Sequence, residues 1–193
     1  MLKIYRNIES MPFIGKAVVT VGTFDGIHLA HRAILDEVVK LAKNVGGKSI
    51  VVTFANHPRT VIDPDFQLKI LTPPEEKNKF FQKIGIDIVV CIDFTPTLAK
   101  TDYSDFVKSL ISKMEIQKFV VGYNHNFGKD KEGNIHNLEK MSLLYDFEVV
   151  EIPQQTVDGI KISSSRIREA MNTGDLNLAN KLLGYNYSRK TNS

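Results

Sequence analysis

Two histidines, His28 and His31, stand three residues apart just beyond a β-branched run and a two-glycine turn, in Thr20-Val21-Gly22-Thr23-Phe24-Asp25-Gly26-Ile27-His28-Leu29-Ala30-His31. If a helix starts there, the spacing puts both imidazoles on one face. They then lie beside the free N–H groups of a helix N-terminus, where a phosphate is favoured. Both can donate hydrogen bonds to phosphate oxygens as negative charge builds in a transition state. Gly22 and Gly26 would let the backbone approach such a ligand. Two other readings stay open. The pair can simply cap a helix, or it can hold zinc with a third ligand from His57, His125 or His136, although no HExxH glutamate and no cysteine pair accompany it.

A second anion site of the same kind is written in Ile162-Ser163-Ser164-Ser165-Arg166-Ile167-Arg168. Its hydroxyls precede a helix, where they either cap it or contact phosphate. Arg168, one turn in from Ser164, carries the planar fork that suits a phosphoryl group; a solvated arginine on a capped surface helix is the alternative. Gly122-Tyr123-Asn124-His125-Asn126-Phe127-Gly128 offers amide and aromatic groups that can hold a base or ribose, or merely form a turn. Thr53-Phe54-Ala55-Asn56-His57-Pro58 places His57 and a rigid proline beyond another apolar run.

These segments must be positioned by alternating strands and helices. Strands are expected at Ala17–Val21, Ser49–Phe54, Ile86–Ile92, Phe119–Val121 and Val149–Ile152. Helices are expected from His28 to about Asn44, after a Thr72 N-cap with Glu75 closing a capping box, over Asp102–Met114, around Ile135–Leu144, and at Ser164–Met171 and Leu176–Leu183. The fold class is α/β, a Rossmann-like parallel sheet flanked by helices, and ligands in such folds sit at the carboxyl ends of the strands. Gly22–His31, Thr53–Arg59, Asp93–Thr101, Gly122–Gly133 and Ser163–Arg168 all fall at strand ends, so all five can line one crevice.

Composition is that of one soluble domain: 193 residues, 42% hydrophobic, net charge +3. No lysine or arginine run marks a nucleic-acid footprint, and no stretch has the length and apolarity of a membrane span. The single cysteine, Cys91, sits in an apolar strand and suits a reducing compartment, so a cytoplasmic location is expected.

Together these motifs resemble the bacterial FAD synthetases, the adenylyltransferase module of bifunctional riboflavin kinase/FMN adenylyltransferases. Gly22 to His31 is similar to the family's G-x-F-D-G-x-H-x-G-H, Thr53–Pro58 to T-F-x-P-H-P, and Ile162–Arg168 to I-S-S-T-x-I-R. The Gly122–Gly128 loop and the tail Gly174-Asp175 with Leu182-Leu183-Gly184-Tyr185 match as well. Ala30 stands for a glycine, Asn56 for a proline, Ser165 for a threonine, and Asn126 where a basic residue is frequent.

The resemblance implies a nucleotidylyltransferase-type fold and the reaction FMN plus ATP giving FAD and pyrophosphate. Mg²⁺ is implied with ATP, held by substrate and water rather than by protein ligands. His28, His31 and Arg168 become the catalytic residues. Gly22, Thr23, Phe24, Asp25, Gly26, Asn124, Ser163, Ser164 and Ser165 become the ATP contacts, and Asn56, His57 and Pro58 the flavin side. The expected domain runs over residues 1–187, with 188–193 a short tail and no riboflavin kinase domain, so that a separate kinase would be the source of FMN. Partners are then ATP and FMN, with neither nucleic acid nor membrane. The competing expectations are a nucleotidylyltransferase with another acceptor, and a flavin-nucleotide binding protein that has lost turnover.

Overall fold

The computed structural model describes residues 1–123, 125 and 133–187. Six strands form one sheet: β1 (Lys3–Tyr5), β2 (Ile14–Val21), β3 (Lys48–Phe54), β4 (Ile88–Ile92), β5 (Met114–Gly122) and β6 (Glu148–Ile152). Every pairing is parallel, in the order β1-β4-β3-β2-β5-β6. The central strands β2, β3 and β4 are apolar on both faces because helices cover both. Val19 and Val52 point to the side packed by Leu110 and Leu138, whereas Val18 and Val51 point to the side packed by Leu35 and Phe81.

The helices are α1 (Leu29–Asn44), α2 (Pro58–Ile62), α3 (Pro74–Ile84), α4 (Pro96–Ala99), α5 (Tyr103–Ile111), α6 (Ile135–Tyr145), α7 (Ser164–Asn172) and α8 (Leu176–Leu183). A small hairpin, β7 (Thr156–Val157) with β8 (Ile160–Lys161), precedes α7. Helices α7 and α8 bury Ile167, Leu182 and Leu183 in a third apolar cluster with Leu71, and Leu29 and Ala30 at the start of α1 pack onto it. The chain leaves β2 towards β3 and β4 on one side and returns to place β5 on the other. That reversal opens a crevice at the carboxyl ends of β2 and β5, the usual ligand position in such sheets.

Several local expectations are corrected. A sixth strand, β1, borders β4; three residues are too few to show a period of two. Helix α5 stops at Ile111, because Met114 and Ile116 are buried around an exposed Glu115 and belong to β5. Thr72 does not cap α3. Asp25 takes the Thr72 N–H at 2.9 Å, and the cap moves to Pro73, which has no side-chain acceptor to offer. The short α2 and α4 were unmarked by periodicity, yet both begin on a side-chain cap, His57 and Thr95, followed by proline.

Candidate active site

The turn after β2 is built on unusual backbone. Phe24 (φ 48°), Gly26 (φ 91°) and Ile27 (φ 31°) all occupy the left-handed region. The glycines serve the turn's own packing. A β-carbon at Gly22 would lie 3.1 Å from the Phe24 ring, and one at Gly26 would lie 3.0 Å from Leu71 Cδ1. Backbone freedom here lets Phe24 fold over the strand end and contact Phe81 and His31 edge-on, with centroids 5.9 and 5.2 Å apart.

His28 is the N-cap of α1, and its Nδ1 accepts the His31 N–H at 3.2 Å. A neutral ring accepting at Nδ1 carries its proton on Nε2, so it presents an N–H donor. Burial pushes His28 down to about 4, against a backbone hydrogen bond and with help from the Arg168 charge. His31 is driven well below its ordinary value, first by burial, then by His28 and Lys77. Both rings are neutral at pH 7 and stack face to face, centroids 3.6 Å apart and planes 14° off parallel. Stacked rings do not converge on one ion. Among the described residues no three His, Cys, Asp or Glu side chains group to hold a metal.

Asp25 turns inward. At 3% exposure its carboxylate accepts the Leu71 and Thr72 N–H groups, each at 2.9 Å, and pairs with Arg168. Arg168 Nε also donates to the Lys69 carbonyl at 2.9 Å. Ser164 Oγ donates to the Asp25 carbonyl and Tyr185 to the Gly26 carbonyl, both at 2.8 Å. The turn after β2 and the start of α7 are therefore one unit, joined through Asp25.

Above this unit lies a cavity of about 960 Å³, to which all five strand-end segments contribute. Gly22, Thr23, Phe24, His28, His31, Pro58, Ser163, Ser164 and Ser165 line it; Asp25, Gly26, Asn56, His57 and Arg168 do not. Asn124 and Asn126 lie outside the described residues. One end of the cavity has imidazoles, hydroxyls and the N-termini of α1 and α7, where Ser163 accepts the Arg166 N–H at 3.3 Å. The other end is apolar, with Phe54, Ile62, Phe94, Leu98 and Phe106.

Asn56 reaches that apolar end through Phe94. Its Nδ2 donates to the Phe94 carbonyl at 2.9 Å while its Oδ1 accepts the Phe94 N–H at 2.7 Å. Phe94 is thereby held edge-on to Phe54, centroids 5.2 Å apart. His57 caps α2, its Nδ1 accepting the Arg59 N–H at 3.2 Å.

Sequence reasoning passed over Lys77 and Arg166. Arg166 lines the cavity where Arg168 was expected. Two residues apart on a helix, they point to opposite faces, and only the packing of α7 decides which face meets the cavity. Lys77 is 7% exposed, and its Nζ donates to the carbonyls of Thr23 (3.3 Å) and Phe54 (3.2 Å). A signal existed: Lys77 precedes Phe80, Phe81 and Ile84 by three, four and seven residues, so it sits on the apolar stripe of α3.

The family model described as FAD synthetase matches residues 11–166. The chain is 36% identical over 176 residues to the bifunctional riboflavin kinase/FMN adenylyltransferase of Listeria monocytogenes, covering 90% of this chain and 55% of that one. The Buchnera aphidicola protein of the same name is 32% identical, at 97% and 61% coverage. A Listeria monocytogenes FAD synthetase is 29% identical, at 88% and 69%. The chain thus spans less than two thirds of the bifunctional relatives. The crystal structure of a macrolide-efflux protein from Streptococcus pneumoniae superposes with TM-score 0.84 at 27% identity, over 95% of this chain and 60% of that one. Among the described residues no helix is long and apolar enough to cross a membrane.

Proposed function

The chain belongs to the FAD synthetase family, and on that premise we propose that it is an FMN adenylyltransferase, converting FMN and ATP to FAD and pyrophosphate. The observation carrying this reading is the two-ended cavity: phosphate-binding helix starts at one end, an apolar floor at the other. Its volume of about 960 Å³ admits a nucleotide and a flavin side by side.

In this reaction an oxygen of the FMN phosphate attacks the α-phosphorus of ATP, and the bond to the β-phosphate oxygen breaks. A phosphate monoester is largely dianionic near neutral pH, its second pKa being about 6, so no general base is required. The protein's tasks are alignment and stabilisation of charge on the α-phosphate and the leaving pyrophosphate. In our reading His28 and His31 do this as neutral donors, together with the α1 amides. Ser163 and Ser165 hold the outer phosphates at the start of α7. Arg168 acts through Asp25, fixing the two segments relative to one another. The isoalloxazine lies against Phe54, Phe94 and Phe106, with Pro58 at the edge, and Asn124 contacts the nucleotide.

The phosphate end offers mainly N–H and O–H donors. Asp25 is turned away into its pairing with Arg168, which leaves Glu169 on α7 as the single carboxylate among the described lining residues, too few to hold an ion by itself. That donor set fits Mg²⁺ arriving on the phosphates of ATP, where it would neutralise charge, rather than an ion held by the protein. A riboflavin kinase activity would supply FMN, and the cytoplasm is the expected place for the reaction.

The test is FAD formation from FMN, ATP and Mg²⁺, followed by chromatography, with riboflavin in a parallel tube. FAD from the FMN tube alone is the expected result. Saturable FMN and ATP binding without product would replace this reading with a flavin-nucleotide binder, and adenylyl transfer only to another phosphate acceptor would replace the substrate.

A further inference from the structure

Lys77 has an environment that invites explanation. Its ammonium is nearly solvent-free on α3, and its two hydrogen-bond partners, the Thr23 and Phe54 carbonyls, are uncharged. Among the described residues no carboxylate forms an ion pair with it. Burying a cation against neutral acceptors alone is costly, so it is seldom retained for stability. Burial holds the Lys77 pKa below its ordinary value, with weaker opposing pulls from Cys91 and Asp25.

The two carbonyls locate what this charge can serve. Thr23 belongs to the turn beneath the histidine pair, Phe54 ends β3, and both line the cavity. Lys77 therefore ties the phosphate end to the apolar end from below, without entering the cavity itself. Arg168, the other buried cation nearby, is already paired with Asp25. A charge in a poorly polarisable interior acts over a longer range than one in water.

We infer that Lys77 is a positioning residue for anionic ligands: a buried cation beneath the Gly22–Phe24 turn that fixes its backbone and supplies positive potential to the phosphate end of the cavity. This rests on the nucleotide reading of that cavity. It assigns to Lys77 selectivity for charged over uncharged ligands.

The experiment compares Lys77→Met, Lys77→Gln and Lys77→Arg with the unaltered protein. Binding of inorganic pyrophosphate, ATP and uncharged riboflavin is measured by calorimetry, and thermal unfolding is recorded alongside. Met fills the same space without charge, Gln keeps a donor without charge, and Arg keeps the charge. The expected result is that Lys77→Met and Lys77→Gln stay folded, bind pyrophosphate and ATP roughly tenfold more weakly, and bind riboflavin within about twofold of the unaltered protein. Lys77→Arg should recover most of the pyrophosphate affinity. Unchanged pyrophosphate binding in Lys77→Gln overturns the inference. So does an equal loss of riboflavin binding, or unfolding of both uncharged variants, since each makes Lys77 a structural fastener only. If the unaltered protein binds neither ATP nor pyrophosphate, the nucleotide reading itself falls. If it binds both but makes no FAD, only the reaction is lost and the Lys77 comparison still stands.

Discussion

Arg168 and Asp25 form a buried ion pair between residues 143 positions apart, their side chains 14% and 5% exposed. Asp25 also takes two backbone N–H groups, and Arg168 also serves the Lys69 carbonyl. One pair thus closes the turn after β2, the approach to α3 and the start of α7 into a single piece.

Removing either partner leaves the other charge buried and unpaired, which costs about 3–5 kcal/mol. Asp25→Ala should therefore lower the urea midpoint strongly, and it also orphans the Leu71 and Thr72 amides. Arg168→Lys keeps the charge but cannot serve both Asp25 and the Lys69 carbonyl with a planar fork. It should lose stability and ATP affinity together. An Arg168→Lys variant as stable as the unaltered protein but slow in turnover would place Arg168 on the leaving group instead.

His28→Ala should reduce turnover about a hundredfold, the usual loss for one transition-state donor. It also removes an N-cap, worth about 1 kcal/mol. His28→Asn separates the two effects, because asparagine caps a helix well. It should melt close to the unaltered protein while remaining nearly as slow as His28→Ala. Turnover restored by asparagine would reduce His28 to a cap.

Acid should destabilise this fold through the same histidine. The unfolded chain takes a proton near pH 6.5, but folded His28 resists until about 4. The unfolded state therefore binds more protons in between, and stability falls as pH drops from 6.5 to 4. His28 accounts for on the order of 3 kcal/mol of that loss, with His31 acting in the same direction. Stability is complete above the upper value. Urea midpoints from about pH 4 to 8 should show a shallower acid slope in His28→Asn than in the unaltered protein; identical slopes would remove His28 from the account.

Asn56→Ala releases both hydrogen bonds to Phe94 and should raise the KM for FMN several-fold, with a smaller effect on kcat and on the KM for ATP. Equal rises in both KM values would mean the whole cavity had loosened, not its apolar wall.

Ala30 lines the cavity and packs on the α7–α8 cluster. Ala30→Gly should cost about 1 kcal/mol through helix propensity and lost contact, leaving ATP affinity within about twofold. A marked gain in affinity would show the methyl obstructing phosphate.

The alternation of apolar strands with amphipathic stretches was enough to read the α/β class. The histidines and serines announced two helix starts, because caps, glycines and periodicity act over a few residues. Those local signals also put five polar segments at strand ends, and all five contribute to one cavity. What side chains do across the fold was not legible. His28 and His31 read as a pair of donors, but their stacking and neutrality follow from burial in the fold, with the Phe24 ring against His31. Asp25 and Arg168 read as ligand contacts because each sits in a phosphate motif; only the packing of α7 onto the β2 turn made them partners. Asn56 read as a flavin contact, and its bonds go to a backbone 38 residues away. Lys77 shares the apolar stripe of α3 in the sequence, but that its ammonium meets the Thr23 and Phe54 carbonyls was decided only by the fold. Local chemistry fixes where elements begin and end, whereas charge pairing, burial and the direction of a side chain depend on neighbours that only the folded chain brings near.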